Sequence, residues 1–420
     1  MSEDFSVSKL EYLLSDLANI SHNILFVQLY SDELVNELWV NLTNCNQINS
    51  VNSLQLELKQ LLLMAFASDE SIPGKIRKGE FHFSNKFYKQ EGVLTLTADF
   101  EKTPKGLLSE VINSLGIRHV ILTDQYCVDL FFSIDFNLSL NTLRTITIKN
   151  IEKSYKNLST ILFNNTVIEE IHLINVPEEL LPVDVSQMLE LRKLVIIDAP
   201  LTKLPKLNHQ LEVLTIERTN IRQIDFQEYP LQNLKELRIT HGKLMEIKNL
   251  SSLLNLTYLD VSRQAISNLE LANLNKLEVV IARRNKLSKL PNLNLSKHTL
   301  RVLDLSFNAI QLTEEIEEFI HLEKFLFESN KFPILNELFL PFQHVYRLDL
   351  AANEIVQISP ILSNFKRLSV LNLENNNLGN VEEVIHSIPT NDLEVRLRGN
   401  NLSNQEKIKL SNLASKIVSL

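Results

Sequence analysis

The stretch Leu300–Ile310, LRVLDLSFNAI, carries the pattern that decides the fold. Its leucines, one asparagine and the final isoleucine fit the template L-x-x-L-x-L-x-x-N-x-L. The template returns at Val345–Ile355 (VYRLDLAANEI) and Leu368–Leu378 (LSVLNLENNNL), and Leu322–Phe332 (LEKFLFESNKF) lies between. Self-similarity with a period of about 22 residues predicts a solenoid in which each repeat stacks on the next.

Laid over the chain, the template gives about 13 copies at spacings of about 20 to 26 residues. The first positions of these copies are Ile117, Leu143, Ile168, Leu191, Leu211, Leu234, Leu256, Leu277, Leu300, Leu322, Val345, Leu368 and Asp392. The later copies keep asparagine at the ninth position. The middle copies have other residues there, namely Val176, Ala199, Thr219, Gly242 and Gln264.

These repeats resemble the leucine-rich repeat family, in particular bacterial and phosphatase-regulator-like repeats of about 22 to 23 residues. The resemblance implies an α/β repeat solenoid, a curved horseshoe with a concave parallel sheet and short 3₁₀ or extended convex segments. Positions four and six, such as Leu303 and Leu305, should point into the core because side chains alternate along a strand. The ninth-position asparagines should bond neighbouring backbone as a ladder.

The ends of the chain are expected to cap the solenoid. Leucines at helical spacing predict an N-terminal helical cap over residues 1–74, before a strand pair and a helix over residues 75–116. The repeats then occupy residues 117–402. Residues 403–420 are predicted to form a C-terminal capping helix, because Ser403 and Glu406 fit a capping box. Three apolar residues are expected to close the last core, namely Ile408, Leu413 and Ile417.

Composition limits the functional classes. The net charge of -9 argues against general nucleic-acid binding. There is no apolar run long enough for a membrane span and no signal-peptide pattern at the start of the chain. Two cysteines, Cys45 and Cys127, suit a reducing compartment. We therefore expect a cytoplasmic protein, favoured as a monomer, with delivery into a host cell by a non-Sec route as a variant.

Stacking aligns residues that are remote in sequence, because template positions two, three, five, seven and eight face outward from the sheet. Basic and aromatic residues gather on four adjacent copies and the start of the next. The predicted partner-binding residues are Arg218, Arg238, His241, Tyr258, Asp260, Arg263, Arg283, Arg284 and Phe307. Arginine and aromatic residues are enriched at interface hot spots, so the cluster predicts an acidic or phosphorylated protein partner.

Other interpretations of the cluster and of the chain stay open. The basic residues could simply be solvated charges paired with Glu217, Asp260 and Glu278. No catalytic, metal-ligating or cofactor-binding pattern is present, so we expect a non-enzymatic scaffold without cofactors, either a cellular protein or a bacterial effector. The alternatives are a small N-terminal catalytic module that the repeats direct to a target, and a phosphatase-type regulatory subunit.

Overall fold

The structure is a computed structural model. It describes residues 93–96, 119–122, 128, 143–152, 163, 167–229, 231–311, 318–390, 393–413 and 416–420. The chain divides into two compact units, Met1–Ala199 and Pro200–Leu420, so the division falls inside the predicted repeat segment. The predicted helical cap over residues 1–74, the predicted helix that ends before residue 116, and both cysteines lie outside the described residues.

In the first unit, parallel strands pair in the order of the chain. They are β1 (Val93–Leu96), β2 (His119–Leu122), β3 (Thr145–Lys149), β4 (Glu170–Ile174) and β5 (Lys193–Ile197), with a 3₁₀ turn at Glu178–Leu180. Because β1 pairs in parallel with β2, the sheet begins one strand before the predicted first copy at Ile117. Parallel strands need a long crossover and not a tight turn, so β1 belongs to the repeat sheet.

The second unit contains the longer series of strands. They are β6 (Val213–Glu217), β7 (Gln223–Asp225), β8 (Glu236–Thr240), β9 (Glu246–Lys248), β10 (Tyr258–Asp260), β11 (Val279–Ile281), β12 (Val302–Asp304), β13 (Lys324–Leu326), β14 (Ile334–Leu335), β15 (Arg347–Asp349), β16 (Gln357–Ile358), β17 (Val370–Asn372), β18 (Leu393–Arg396) and β19 (Lys416–Ser419). The main parallel sheet runs β6-β8-β10-β11-β12-β13-β15-β17-β18-β19, while β7 pairs with β9 and β14 with β16.

Short segments return the chain from one strand of this sheet to the next. The 3₁₀ segments are Phe226–Glu228, Leu250–Ser252, Asn294–Ser296, Glu337–Phe342 and Pro360–Asn364, and the α-helices are α1 (Glu382–Ser387) and α2 (Asn404–Ser411). A 3₁₀ turn advances the chain in few residues, which suits a short repeat. The expected solenoid with a parallel sheet and mostly short return segments is therefore confirmed.

The template positions predicted to face inward form the core. Leu237 and Ile239 on β8, like Leu303 and Leu305 around β12, are at most 2% exposed. The residue between each pair lies on the opposite side of the strand, as the alternation of a strand requires, although Asp304 is itself largely covered. Burial of each such side chain contributes about 1.5 to 3 kcal/mol, so the repeated leucines supply most of the cohesion between coils.

The ninth-position asparagines form the predicted ladder. Asn308 is representative: its Nδ2 donates to the carbonyls of Ala282 in the preceding coil and Leu305 in its own, at 3.0 and 2.9 Å. Its Oδ1 accepts a hydrogen bond from the backbone N–H of Leu287. Equivalent bonds to the preceding coil are made by Asn285, Asn330, Asn353, Asn376 and Asn400.

Gln264 replaces one of these asparagines without loss of the bonds. Its Nε2 donates to the carbonyl of Ile239 at 3.0 Å, and its Oε1 accepts from the N–H of Leu244 at 2.9 Å. The longer side chain has room because the preceding copy has Gly242, where a Cβ would lie only 3.0 Å from Gln264 Oε1. The ladder thus extends one copy beyond the asparagines, through a matched change in two copies.

The eighth template position has left-handed backbone in each copy from the one at Leu143 onward, with φ between 50° and 76°. The residues are Asn150, Asn175, Asp198, Arg218, His241, Arg263, Arg284, Phe307, Ser329, Ala352, Asn375 and Gly399. Asparagine, aspartate and glycine tolerate this conformation, whereas larger side chains are uncommon in it. The regular recurrence confirms the register of the template, and the bulky residues coincide with the predicted binding cluster.

A group of phenylalanines fills the core of the copy at Leu322, where other copies have aliphatic residues. Phe325 stacks on Phe342 with ring centroids 4.0 Å apart, and Phe339 lies 4.8 Å from Phe332. Phe327 contacts Phe325 at 5.1 Å. Aromatic pairs contribute about 0.5 to 1.5 kcal/mol beyond area burial, so this coil is a rigid centre of the second unit.

The C-terminal helix is confirmed, but it is not the last element. Ser403 accepts a hydrogen bond from the N–H of Glu406, as the capping box predicts. The Glu406 carboxylate instead accepts from the N–H groups of Val381 and Glu382 at the start of α1, both at 2.6 Å. The chain then adds β19 to the sheet. The last core is therefore closed differently from the prediction: Leu410 is buried, whereas Ile408 and Ile417 are 62% and 64% exposed and Leu413 is half-buried.

Candidate functional site

The strand register brings the predicted cluster together on the exposed face of the main sheet of the second unit, here called the sheet face. Arg238 on β8 lies between Thr215 on β6 and Asp260 on β10, and the same column continues through Ile281 to Asp304. Tyr258 occupies the neighbouring column. Adjacent parallel strands lie about 4.8 Å apart, so residues more than 20 positions apart in sequence become neighbours.

Backbone hydrogen bonds hold the eighth-position residues in a row at the end of these strands. The N–H of Arg218 donates to Thr240 O, and the N–H of Arg263 donates to Arg283 O at 2.9 Å. The N–H groups of His241 and Arg284 bond the next coil in the same way. The row fixes where each side chain leaves the backbone, although the left-handed conformation is costly for arginine, histidine and phenylalanine.

One half of the cluster is paired with carboxylates. Glu217 forms an ion pair with Arg218, and a Glu217 carboxylate oxygen lies 3.7 Å from His241 Nδ1. Arg238 is bonded to Glu236, two residues earlier on the same strand. These contacts agree with the solvated-charge interpretation for Glu217, but Glu236 takes the role expected of Asp260. A glutamate two residues before an arginine on a strand was the signal that could have found it, because the two side chains share a face.

Tyr258 sits under the paired arginine. The Arg238 guanidinium carbon lies 4.1 Å from the centroid of the Tyr258 ring, a cation–π contact. Partial burial raises the pKa of Tyr258, an effect that the charge of Arg238 partly offsets. The Tyr258 ring and the Arg238 guanidinium therefore form one continuous surface that is both aromatic and charged.

The other half of the cluster is not held in ion pairs by the described carboxylates. Arg263, Arg283 and Arg284, here called the arginine trio, form no ion pair within the part of the chain that the structure describes. Arg263 and Arg284 are exposed. The guanidinium carbons of Arg284 and Arg283 lie 4.3 and 5.5 Å from the centroid of one ring, that of Phe307. The Nε of Arg283 is shielded from water and has no hydrogen-bond acceptor.

The aspartates of the cluster face their own turns. Asp260 and Asp304 each accept a hydrogen bond from the N–H two residues on, at 2.9 and 3.0 Å. Asp304 and Ser306 are only 7% and 4% exposed, so they are not the open surface expected from the outward template positions. Burial raises the pKa of Asp304, and its hydrogen bonds and Arg283 lower it less. Beyond it, burial and Asp349 raise the pKa of Glu328, which Arg283 and Arg284 act to lower.

Within the described ranges, no group of three or more histidine, cysteine, aspartate or glutamate side chains is arranged to hold a metal ion. A search of the same ranges found no helix with the length and apolar character that a membrane crossing requires. The site is thus a set of charged and aromatic side chains on an open sheet, which can bind a complementary surface.

Comparison with solved structures shows the fold. A leucine-rich repeat protein of Leptospira interrogans is 19% identical, with 76% of this chain and 93% of that chain covered and a TM-score of 0.52. The APL1 leucine-rich repeat domain is 17% identical, with coverage of 78% and 83% and a TM-score of 0.54. The LRIM1/APL1C complex contributes a further match at 18% identity, coverage of 78% and 60%, and a TM-score of 0.52. The chain is therefore a leucine-rich repeat protein by fold.

Sequence comparison adds one curated relative, the volume-regulated anion channel subunit LRRC8D of Rattus norvegicus. It is 28% identical over 249 residues, which are 54% of this chain and 28% of that protein. The chain thus matches little more than a quarter of the relative's length. No family model matches the sequence.

Proposed function

We propose that this chain is a non-enzymatic scaffold that binds a protein partner on the sheet face of its second unit. The observation that carries the proposal is the row of bulky residues at the left-handed eighth position, from Arg218 to Phe307. Asparagine or glycine would satisfy the backbone there at lower cost, as Asn375 and Gly399 do in later copies. Strain that persists in consecutive copies is typical of a surface used for binding.

The chemistry of the surface supports a protein partner. Tyr258 and Phe307 offer flat apolar faces beside guanidinium groups, the combination enriched at interface hot spots. Glu217 and Glu236 order the paired arginines before a partner arrives, which reduces the entropy lost on binding. The surface therefore fits an acidic or phosphorylated partner. The LRIM1/APL1C complex, by its name an assembly of two proteins, has the same fold, and this suits the proposal.

The proposal is tested by charge reversal on the sheet face. A triple variant, R238E/R263E/R283E, should lose a partner that the wild-type chain captures, identified by mass spectrometry and rebound as a purified protein. The matched control is K366E/R367E/K407E, which reverses three exposed charges outside the cluster and should retain binding. Equal binding by wild type and the first variant, with both folded by circular dichroism, would disprove the proposal.

The proposal also includes the source, location and oligomeric state of the protein. A bacterial source, delivery into a host cell as an effector, a cytoplasmic location and a monomeric state are predictions from the sequence. The alternative of an N-terminal catalytic module rests on residues outside the described ranges, and a phosphatase-type regulatory subunit stays the other alternative. Expression of residues 1–116 alone separates a self-sufficient module from a cap, because a cap is expected to unfold without the repeats it covers.

A further inference from the structure

We infer that the arginine trio, with Phe307 beneath it, binds a phosphorylated side chain on a segment of the partner protein. The inference rests on the proposed function and names the chemistry of its central contact. Arg263, Arg283 and Arg284 come from two adjacent coils, and a backbone bond of 2.9 Å joins Arg263 N to Arg283 O. Three arginines that form no ion pair among the described residues thus follow the ends of two neighbouring strands.

Ion pairing distinguishes the trio from the other arginines of the cluster as the site for an anion. Arg218 and Arg238 are bonded to glutamates, so an incoming anion would have to displace a carboxylate. The trio has no such bond to break among the described residues. The Arg283 Nε–H has no acceptor, so the side chain can turn toward an oxyanion without breaking a protein hydrogen bond at that atom. Guanidinium groups match phosphate oxygens through paired N–H donors.

Phe307 positions the side chains of Arg283 and Arg284. Its ring lies within 6 Å of both the Arg283 and the Arg284 guanidinium carbons, at 5.5 and 4.3 Å from the centroid. The ring covers part of each cation while the edges of the guanidinium groups stay available for donation. Phe307 itself has left-handed backbone with φ of 57°, which is costly for an aromatic residue. The cost suits a residue retained for the contact it makes.

The charges around the trio favour one compact dianion over a long polyanion. Glu217 and Glu236 lie on the side of the earlier coils, and Glu328 and Asp349 lie on the side of the later coils. A nucleic acid would bring a second phosphate against these carboxylates, where like charges repel. A phosphomonoester carries about -1.5 to -2 charge and three acceptor oxygens in one group, which three guanidinium groups complement.

The test uses the full chain and degenerate peptide libraries centred on phosphoserine, phosphothreonine or phosphotyrosine. Matched libraries centred on the unmodified residue or on glutamate serve as references. We expect the chain to enrich at least one phosphorylated library by about tenfold over both references, because the dianion engages more guanidinium donors than a carboxylate does. Equal enrichment of the glutamate library overturns the inference, as does preference for single-stranded RNA or for vesicles that carry phosphoinositides.

Variants locate the contact. R263Q and R284Q should each weaken binding of the selected phosphopeptide about five- to tenfold, whereas R367Q, at an exposed arginine outside the cluster, should change binding less than about twofold. R284K keeps the charge but loses the planar donor pair, so partial recovery is expected, with thermal unfolding midpoints confirming that each variant folds. A larger loss in R238Q than in R263Q and R284Q overturns the assignment to the trio.

A final experiment distinguishes failure of this inference from failure of the proposed function. The purified partner is treated with phosphatase and rebound to the wild-type chain and to R238E/R263E/R283E. Loss of binding after phosphatase treatment supports the phosphorylated contact. Binding that survives phosphatase but is abolished by the triple variant overturns the inference and leaves the scaffold function intact, and binding unchanged by either treatment overturns both.

Discussion

Two parts of the second unit share the template but differ in the residues at its eighth position. The patch coils, residues 211–311, place arginine, histidine and phenylalanine at the left-handed eighth position and leave them on the sheet face. The ladder coils, residues 318–400, have Ser329, Ala352, Asn375 and Gly399 there. The ladder coils also hold the phenylalanine core and the most deeply buried asparagines. From this difference we expect the ladder coils to contribute more to stability, and the patch coils to carry the proposed interaction surface.

The largest expected loss of stability comes from a mutation in the phenylalanine core of the ladder coils. F325A removes a ring that contacts several other phenylalanines, including Phe327 and Phe342. We expect the free energy of unfolding to fall by about 3 to 5 kcal/mol, because the mutation removes buried area and leaves a cavity. Urea denaturation followed by circular dichroism measures it. Y258A in the patch coils is the control, and its half-buried side chain should cost much less.

The next effect removes one rung of the ladder. Asn353 is fully buried, and its side chain bonds the N–H of Asn330 and the carbonyls of Phe327 and Ala351. N353L leaves these groups without partners, so a loss of about 2 to 4 kcal/mol is expected. Q264L is the matched change in the patch coils and should cost about 1 to 3 kcal/mol, since Gln264 is only part-buried. Similar costs at both sites would remove the contrast between the two parts.

A reciprocal exchange at the eighth position sharpens the comparison. Asparagine tolerates the left-handed backbone better than arginine does, so R263N should raise the free energy of unfolding by about 0.5 to 1 kcal/mol. N375R should lower it by a similar amount. Thermal unfolding of both variants measures the change. If R263N stabilised the fold and kept partner binding, the strain at Arg263 would have no functional meaning.

The smallest effect concerns Asp304, in the last strand of the patch coils. Burial raises the folded-state pKa of Asp304, so the folded state binds this proton more tightly than the unfolded state does. Its contribution is therefore most favourable below the unfolded pKa of about 3.9 and is lost as pH rises through the raised folded value. D304N should stabilise the protein at neutral pH by less than about 1 kcal/mol, and the gain should vanish in acid.

The chain itself supplies the precedent for this substitution. Asn372 occupies the same column as Asp349 on the next strand of the main sheet, and its Oδ1 accepts from the N–H of Glu374 at 3.1 Å. An asparagine at position 304 can keep the equivalent bond to the N–H of Ser306. Stability profiles of wild type and D304N between pH 3 and 8 check the prediction, and parallel profiles would contradict it.

Much of the fold was predictable because the template is dense. The inward leucines, the sheet register and the asparagine ladder all follow from one period applied to the sequence. The ends were less predictable. Val93–Leu96 and Lys416–Ser419 join the sheet, although neither fits the template well enough to count as a copy. Strand pairing depends on the neighbour available, and a short apolar stretch does not specify its partner.

The sequence predicted which residues make up the candidate site, but not their ion pairs or their burial. The register placed Arg238, Arg263 and Arg283 on adjacent coils, as the structure does. It did not show that Glu236 pairs with Arg238, nor that Asp304 is buried. Both depend on side-chain directions and on how closely neighbouring coils approach, which a template position does not encode.

The sequence by itself determined the repeat, the inward core and the set of residues that share the sheet face, because each follows from periodicity along the chain. Only the structure decided which arginines are neutralised, because a local spacing such as that of Glu236 and Arg238 permits an ion pair without requiring it. It also decided that a glutamine and a glycine from different copies complete the ladder together. The contact between the glutamine and the glycine joins residues that no local pattern connects, so it exists only once the coils are stacked.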